Sequence, residues 1–78
     1  MQVEVRLFAS LRPYGPQGAN APFSFELPEG ARVRDLVAAL GLPAAIPKLV
    51  FVNGLQSAEE AELHQGDRVG LFPPVAGG

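Results

Sequence analysis

One segment of this 78-residue chain carries a helical period, and the apolar residues around it alternate instead. Val33, Leu36, Val37 and Leu40 fall at i, i+3, i+4 and i+7, while Arg32, Arg34, Asp35 and the alanines occupy the other faces, so the segment is a helix with one apolar stripe. Gly41 follows as the expected C′ residue and Pro43 prevents continuation. A helix of about 8 to 10 residues is marginal alone, so it must be held by packing on a sheet. Its start lacks a good cap, because Ala31 or Arg32 stands where Ser, Thr or Asp would accept backbone hydrogen bonds.

The sheet is legible in short pieces, since eight prolines and nine glycines cut the chain repeatedly. In residues 2 to 9, Val3, Val5, Leu7 and Ala9 alternate with Gln2, Glu4, Arg6 and Phe8, the period of a strand with one buried face. Residues 10 to 22 hold three prolines and two glycines and are expected to form a loop. Phe23, Phe25 and Leu27 share a face of a second strand, stopped by Pro28-Glu-Gly30. Beyond the helix and the linker 42–47, Leu49-Val-Phe-Val52 reads as a third strand, closed by the hairpin dipeptide Asn53-Gly54. A short strand is expected at Leu55 to Ser57, then a polar loop or helical turn over Ala58 to Glu62, and a turn at His64 to Asp67. Arg68 to Phe72 is the last strand, ended by Pro73-Pro74 because neither proline can donate to a ladder. The order strand, strand, helix, strand, short strand, strand is an α+β pattern in which one helix covers one face of a mixed sheet. Its simplest arrangement resembles the β-grasp fold of ubiquitin-like proteins, with the first and last strands adjacent in the middle. Residues 1 to 73 are the expected domain and 74 to 78 a mobile tail.

Composition removes many functions. A chain this short buries roughly 60% of its unfolded surface and has no room for a second, substrate-binding domain. With no cysteine and one histidine, it has no thiolate nucleophile, no disulfide and no Cys-based or three-His metal site. A net charge of −2 with six scattered basic residues is unlike a nucleic-acid footprint. No apolar run approaches the ~20 residues that span a bilayer, and the first residues do not resemble a signal peptide, so a cytoplasmic location is expected. His64 in a polar turn, the acids Glu59, Glu60 and Glu62, and Asn53-Gly54 read as surface, solvated face and turn.

Two features remain. Pro74-Val75-Ala76-Gly77-Gly78 is a run of small residues that cannot pack a core, and its tip without Cβ atoms suits entry into a narrow channel. The other is a set of aromatics. If Val3, Val5, Leu7, Val69 and Leu71 face the helix, Phe8 and Phe72 share the uncovered sheet face, beside the emerging tail. Such a patch would let a partner grip the sheet and thread the tail. The alternative is that loop 10–22, through Leu11 and Tyr14, covers these rings.

The ending Leu71-Phe-Pro-Pro-Val-Ala-Gly-Gly78 resembles the C-terminus of the MoaD/ThiS family of sulfur carriers, and within it the small subunit of molybdopterin synthase. Val5-Arg-Leu-Phe-Ala9, the helix Val33 to Leu40 with Gly41, Val52-Asn-Gly54 and Gly66-Asp-Arg-Val69 agree in order and approximate spacing, so the resemblance spans the chain. It implies that a ubiquitin-activating-type enzyme uses ATP to adenylate the Gly78 carboxylate, and that a sulfur donor then converts it to a thiocarboxylate. It further implies that Pro74, Val75, Ala76 and Gly77 thread into the molybdopterin synthase large subunit, where sulfur passes to a pterin precursor. The chain would bind no cofactor and no metal; the catalytic groups would belong to its partners. The resemblance assigns partner docking to one sheet face through Phe72, Phe8 and Leu55. The short, proline-rich connection after the helix, together with Asn53-Gly54, also suits carriers for thiamine or other metabolites, and the same activated carboxylate could serve a ubiquitin-like protein modifier.

Overall fold

The computed structural model describes residues 1–16 and 21–74. Five strands, β1 (Gln2–Leu7), β2 (Phe23–Glu26), β3 (Leu49–Val52), β4 (Leu55–Ser57) and β5 (Arg68–Phe72), form one sheet in the order β2-β1-β5-β3-β4. The single α-helix, α1, spans Val33–Ala39. β1 and β5 run parallel in the centre, and the β1/β2, β3/β4 and β3/β5 pairs are antiparallel. This mixed sheet with one short helix is the β-grasp fold anticipated from the order of periods.

Strand alternation sets the core. Val3, Val5 and Leu7 of β1 and Val69 and Leu71 of β5 are buried together with Val33, Leu36 and Val37 of α1, because pairing Val5 with Val69 and Leu7 with Leu71 puts both strands' apolar sets on one face. Leu11, Leu27, Ala31, Leu42, Val50 and Leu63 complete the cluster from the connections and β3. β1 ends at Leu7, two residues before the expected limit, because Ala9 takes a φ of 52° and turns the chain out of the sheet.

Residues 10 to 22 are not simply a loop. Ala9–Tyr14 form a 3-10 helix that contains Pro13, with Leu11 N–H donating to Phe8 O and Gly15 N–H to Arg12 O. So short a helix needs few donors and tolerates the missing proline N–H. It delivers Leu11 to the core, and Tyr14 packs against the same cluster, so these side chains are used for the interior rather than as a cover for Phe8 and Phe72.

Both ends of α1 are capped. At the C-terminus Gly41, at φ 80°, donates to Ala38 O and Leu42 donates to Val37 O, the paired bonds of a Schellman motif. At the N-terminus Arg32 makes no side-chain cap, as expected, and other residues make good the lack in two ways. The Asp35 carboxylate accepts from the Arg32 backbone N–H at 2.8 Å, half of a capping box. Val33 and Arg34 N–H donate to Ala61 O and Glu59 O at 3.0 and 2.9 Å, so a segment remote in sequence supplies acceptors that the first turn lacks. The Ala58 to Glu62 stretch, expected to be merely solvated, thereby buttresses the helix.

The Asn53-Gly54 turn has φ values of 52° and 83°, the left-handed pair that a two-residue type I′ hairpin requires. Asn53 also accepts from Arg68 N–H at 2.9 Å and donates to the Asp67 carboxylate at 3.0 Å, tying this turn to the start of β5. Among the described residues no helix is long and apolar enough to cross a membrane.

Candidate functional site

The helix covers one side of the sheet, and the other carries the aromatics. Phe8 continues β1 in extended conformation and donates its N–H to Leu71 O at 3.1 Å, which carries the parallel register one step further and sets Phe8 beside Phe72. Their rings lie parallel, with centroids 4.0 Å apart and planes within 5°. Phe51 joins from β3, its ring meeting Phe72 edge-on at 5.3 Å and 75°. The expected Phe8/Phe72 pair is therefore present on the uncovered face, enlarged by a third ring. Phe51 escaped the sequence reading because every residue of Leu49-Val-Phe-Val52 is apolar and no polar residue marks the phase. The signal lay one strand away: with Val50 opposite Leu71 in the core, Phe51 must project to the side of Phe72.

Gly70 makes the cluster possible. It lies opposite both Arg6 and Phe51, and a Cβ there would come within 3.3 Å of Phe72 Cε1 and 3.7 Å of Phe8 Cε2. The missing side chain lets the rings settle onto the backbone of β5.

Around the rings lies an open depression of about 540 Å³, lined by Phe8, Phe51 and Phe72 with Glu4, Arg6 and Arg68 among its polar residues. Arg6 and Glu4 pair loosely, Nε to Oε2 at 3.9 Å, in a solvent-exposed setting where such a pair contributes little stability. Apolar rings rimmed by charge form a surface that fits another protein better than an enclosed small-molecule site. Among the described residues, no three His, Cys, Asp or Glu side chains are grouped to hold a metal.

Leu55 is placed elsewhere. It is the one large hydrophobic among the described residues that is strongly exposed, at 73%, but the register sets it opposite Val52, whose side chain packs against the core. Directly opposed residues project to the same side, so Leu55 stands at the β4 edge on the helix side of the sheet and does not join Phe8 and Phe72. The expectation that these three share a face is corrected to Phe8, Phe51 and Phe72, since a two-residue turn fixes the parity of the hairpin.

Phe72 is the last residue of β5, and the half-buried Pro73 and exposed Pro74 follow it directly. The aromatic face thus lies at the base of the C-terminal segment. Val75, Ala76, Gly77 and Gly78, the remaining residues singled out in the sequence, lie outside the described residues.

Comparison with known proteins gives a consistent picture. The model of the ThiS family matches residues 5–78. No curated protein matches the sequence significantly. Among solved structures, small archaeal modifier protein SAMP1 from Haloferax volcanii is similar over 100% of both chains, with 28% identity and a TM-score of 0.75. A protein assigned as molybdopterin converting factor, subunit 1, from Pyrococcus furiosus is 34% identical over 95% of this chain and 98% of its own, with a TM-score of 0.73. A complex of subunits 1 and 2 of the molybdopterin-converting factor from Helicobacter pylori contains a chain of the same fold, 24% identical over 100% of both chains, with a TM-score of 0.63.

Proposed function

The chain belongs to the ThiS family, whose relatives here are MoaD/ThiS-type sulfur carriers and ubiquitin-like small modifiers, and from that premise we propose that it carries sulfur as a thiocarboxylate on Gly78. The observation that carries the reading is the position of Phe72, stacked on Phe8 at the end of β5 and followed by Pro73-Pro74-Val75-Ala76 and then Gly77-Gly78. A partner that grips the aromatic face has the C-terminal segment beside its own active site.

The chemistry requires activation. A carboxylate is a poor electrophile, so an adenylating enzyme of the ubiquitin-activating type would join Gly78 to AMP, releasing pyrophosphate and leaving a mixed anhydride. A persulfide sulfur displaces AMP, and thiol cleavage of the resulting S–S bond leaves the thiocarboxylate. In the cytoplasm this group would be threaded by residues 74–77 into the large subunit of molybdopterin synthase, for building the dithiolene of the molybdenum or tungsten cofactor. The Pyrococcus furiosus similarity supports this recipient over thiamine or other sulfur-containing products. The catalytic groups belong to the partners, and the aromatic face serves recognition.

The test is to incubate the protein with its activating enzyme, ATP and a sulfur donor and to record the intact mass. Exchange of one oxygen for sulfur, localised to Gly78, is expected; an unchanged mass would count decisively against sulfur carriage. The SAMP1 similarity favours a second reading, attachment of the same activated carboxylate to lysines of other proteins. That reading requires higher-mass conjugates in cell extracts that vanish when Gly78 is deleted.

A further inference from the structure

Lys48 is the only lysine in the sequence, and there is no cysteine. Its side chain is only 1% exposed, and Nζ donates to Glu59 Oε2 at 3.3 Å. Glu59 is itself anchored, because its carbonyl accepts the N–H of Arg34 in the first turn of α1. The ion pair therefore joins the residue preceding β3 to the segment that buttresses the helix. The other amine, the α-amino group of Met1, donates to Leu27 O at 2.7 Å and lies 3.8 Å from the Glu29 carboxylate.

A chain that travels with an activated C-terminus faces a hazard from amines. The lone pair of a neutral amine attacks the Gly78 carbonyl carbon, a C–N bond forms, the bond to AMP breaks, and the amine proton passes to solvent. The product is an amide that cannot accept sulfur. The same reaction between two copies yields a dimer and then a polymer. Attack needs an unhindered approach of nitrogen to the carbonyl, and burial together with a hydrogen bond to Glu59 denies Lys48 that approach.

We propose that Lys48 is a withheld amine: the fold buries the chain's single lysine against Glu59, so that the protein acts as an acyl donor and not as an acyl acceptor. The specificity for an external acceptor, whether sulfur or a foreign lysine, is then set partly by this chain. The claim rests on the reading of an activated C-terminus, but its central element, the inaccessibility of Nζ, is independent of it.

Two measurements separate these parts. First, the folded protein is treated with an amine-reactive acetyl ester and labelling is followed by peptide mass mapping. Lys48 should acetylate at least about tenfold more slowly than in a synthetic peptide of residues 44–52, since labelling must await local opening. Equal rates in protein and peptide would overturn the proposal. Arg34→Lys, which places an amine on the exposed side of α1 at unchanged charge, should label at the peptide rate in the same sample. Second, wild type and Arg34→Lys are incubated with activating enzyme and ATP but no sulfur donor. Cross-linked dimer, lighter by one water than two chains, is expected from Arg34→Lys and not from wild type; wild-type dimer joined through Lys48 would overturn the proposal. If neither form supports ATP consumption, the carrier reading fails, and the labelling rates still decide the accessibility of Lys48.

Discussion

At the scale of single residues, neighbours in sequence do opposite things. Leu71 is fully buried between β1 and β3, whereas Phe72, one residue on, lies half-buried on the open face against Phe8 and Phe51. Leu71→Ala should therefore cost about 2–5 kcal/mol of folding stability, the usual range for deleting a core leucine. Phe72→Ala should cost about 1 kcal/mol, the worth of its aromatic contacts, and show in partner binding as a loss of about 2 kcal/mol or more if it is the anchor of the interface. Denaturant midpoints and titration with the activating enzyme measure the two effects separately. A midpoint for Phe72→Ala as low as that for Leu71→Ala would mean that the ring serves the fold. Phe72 was legible from alternation alone. Phe51 and Gly70 were not, because which rings converge over a bare backbone position depends on how β5 registers against both β1 and β3.

At the scale of elements, α1 shows how local signals and remote ones divide the labour. Its C-terminus is written into consecutive residues, with Gly41 at C′ and Pro43 beyond. Its N-terminus is not, since Arg32 has no side-chain acceptor to offer and the first N–H groups are met by Asp35, Glu59 and Ala61. Asp35→Ala removes the local part only. It should lower stability by about 0.5–1 kcal/mol, in line with the loss of a helix cap, with the fold retained. Thermal unfolding followed by circular dichroism checks this, and a loss several times larger would show that Asp35 also organises the 58–62 segment. The 3-10 helix at Ala9–Tyr14 is the converse case. Prolines and glycines signalled a loop, yet burial of Leu11 makes a short helical segment worthwhile in a way that local propensity does not reveal.

At the scale of the whole molecule, the proposed sulfur-carrying terminus is expected to be separable from the folded domain. Pro73 and Pro74 follow β5, and among the described residues the buried core runs from Val3 to Leu71. Removal of Gly77 and Gly78 should therefore leave the unfolding midpoint within measurement error while abolishing sulfur loading. A tail deletion that destabilised the domain would contradict this separation. The sequence by itself determined the strand and helix periods, their order and hence the β-grasp arrangement, and the Gly41 and Asn53-Gly54 punctuation. Those properties follow from local sterics and from periodicities that adjacent residues express. The tertiary structure alone decided that Phe51 joins Phe8 and Phe72, that Leu55 stands apart, that residues 58–62 cap the helix, and that the Lys48 side chain is buried against the partly exposed Glu59. Each of these is a relation between segments distant in sequence, fixed by strand register and by which face of the sheet the helix covers.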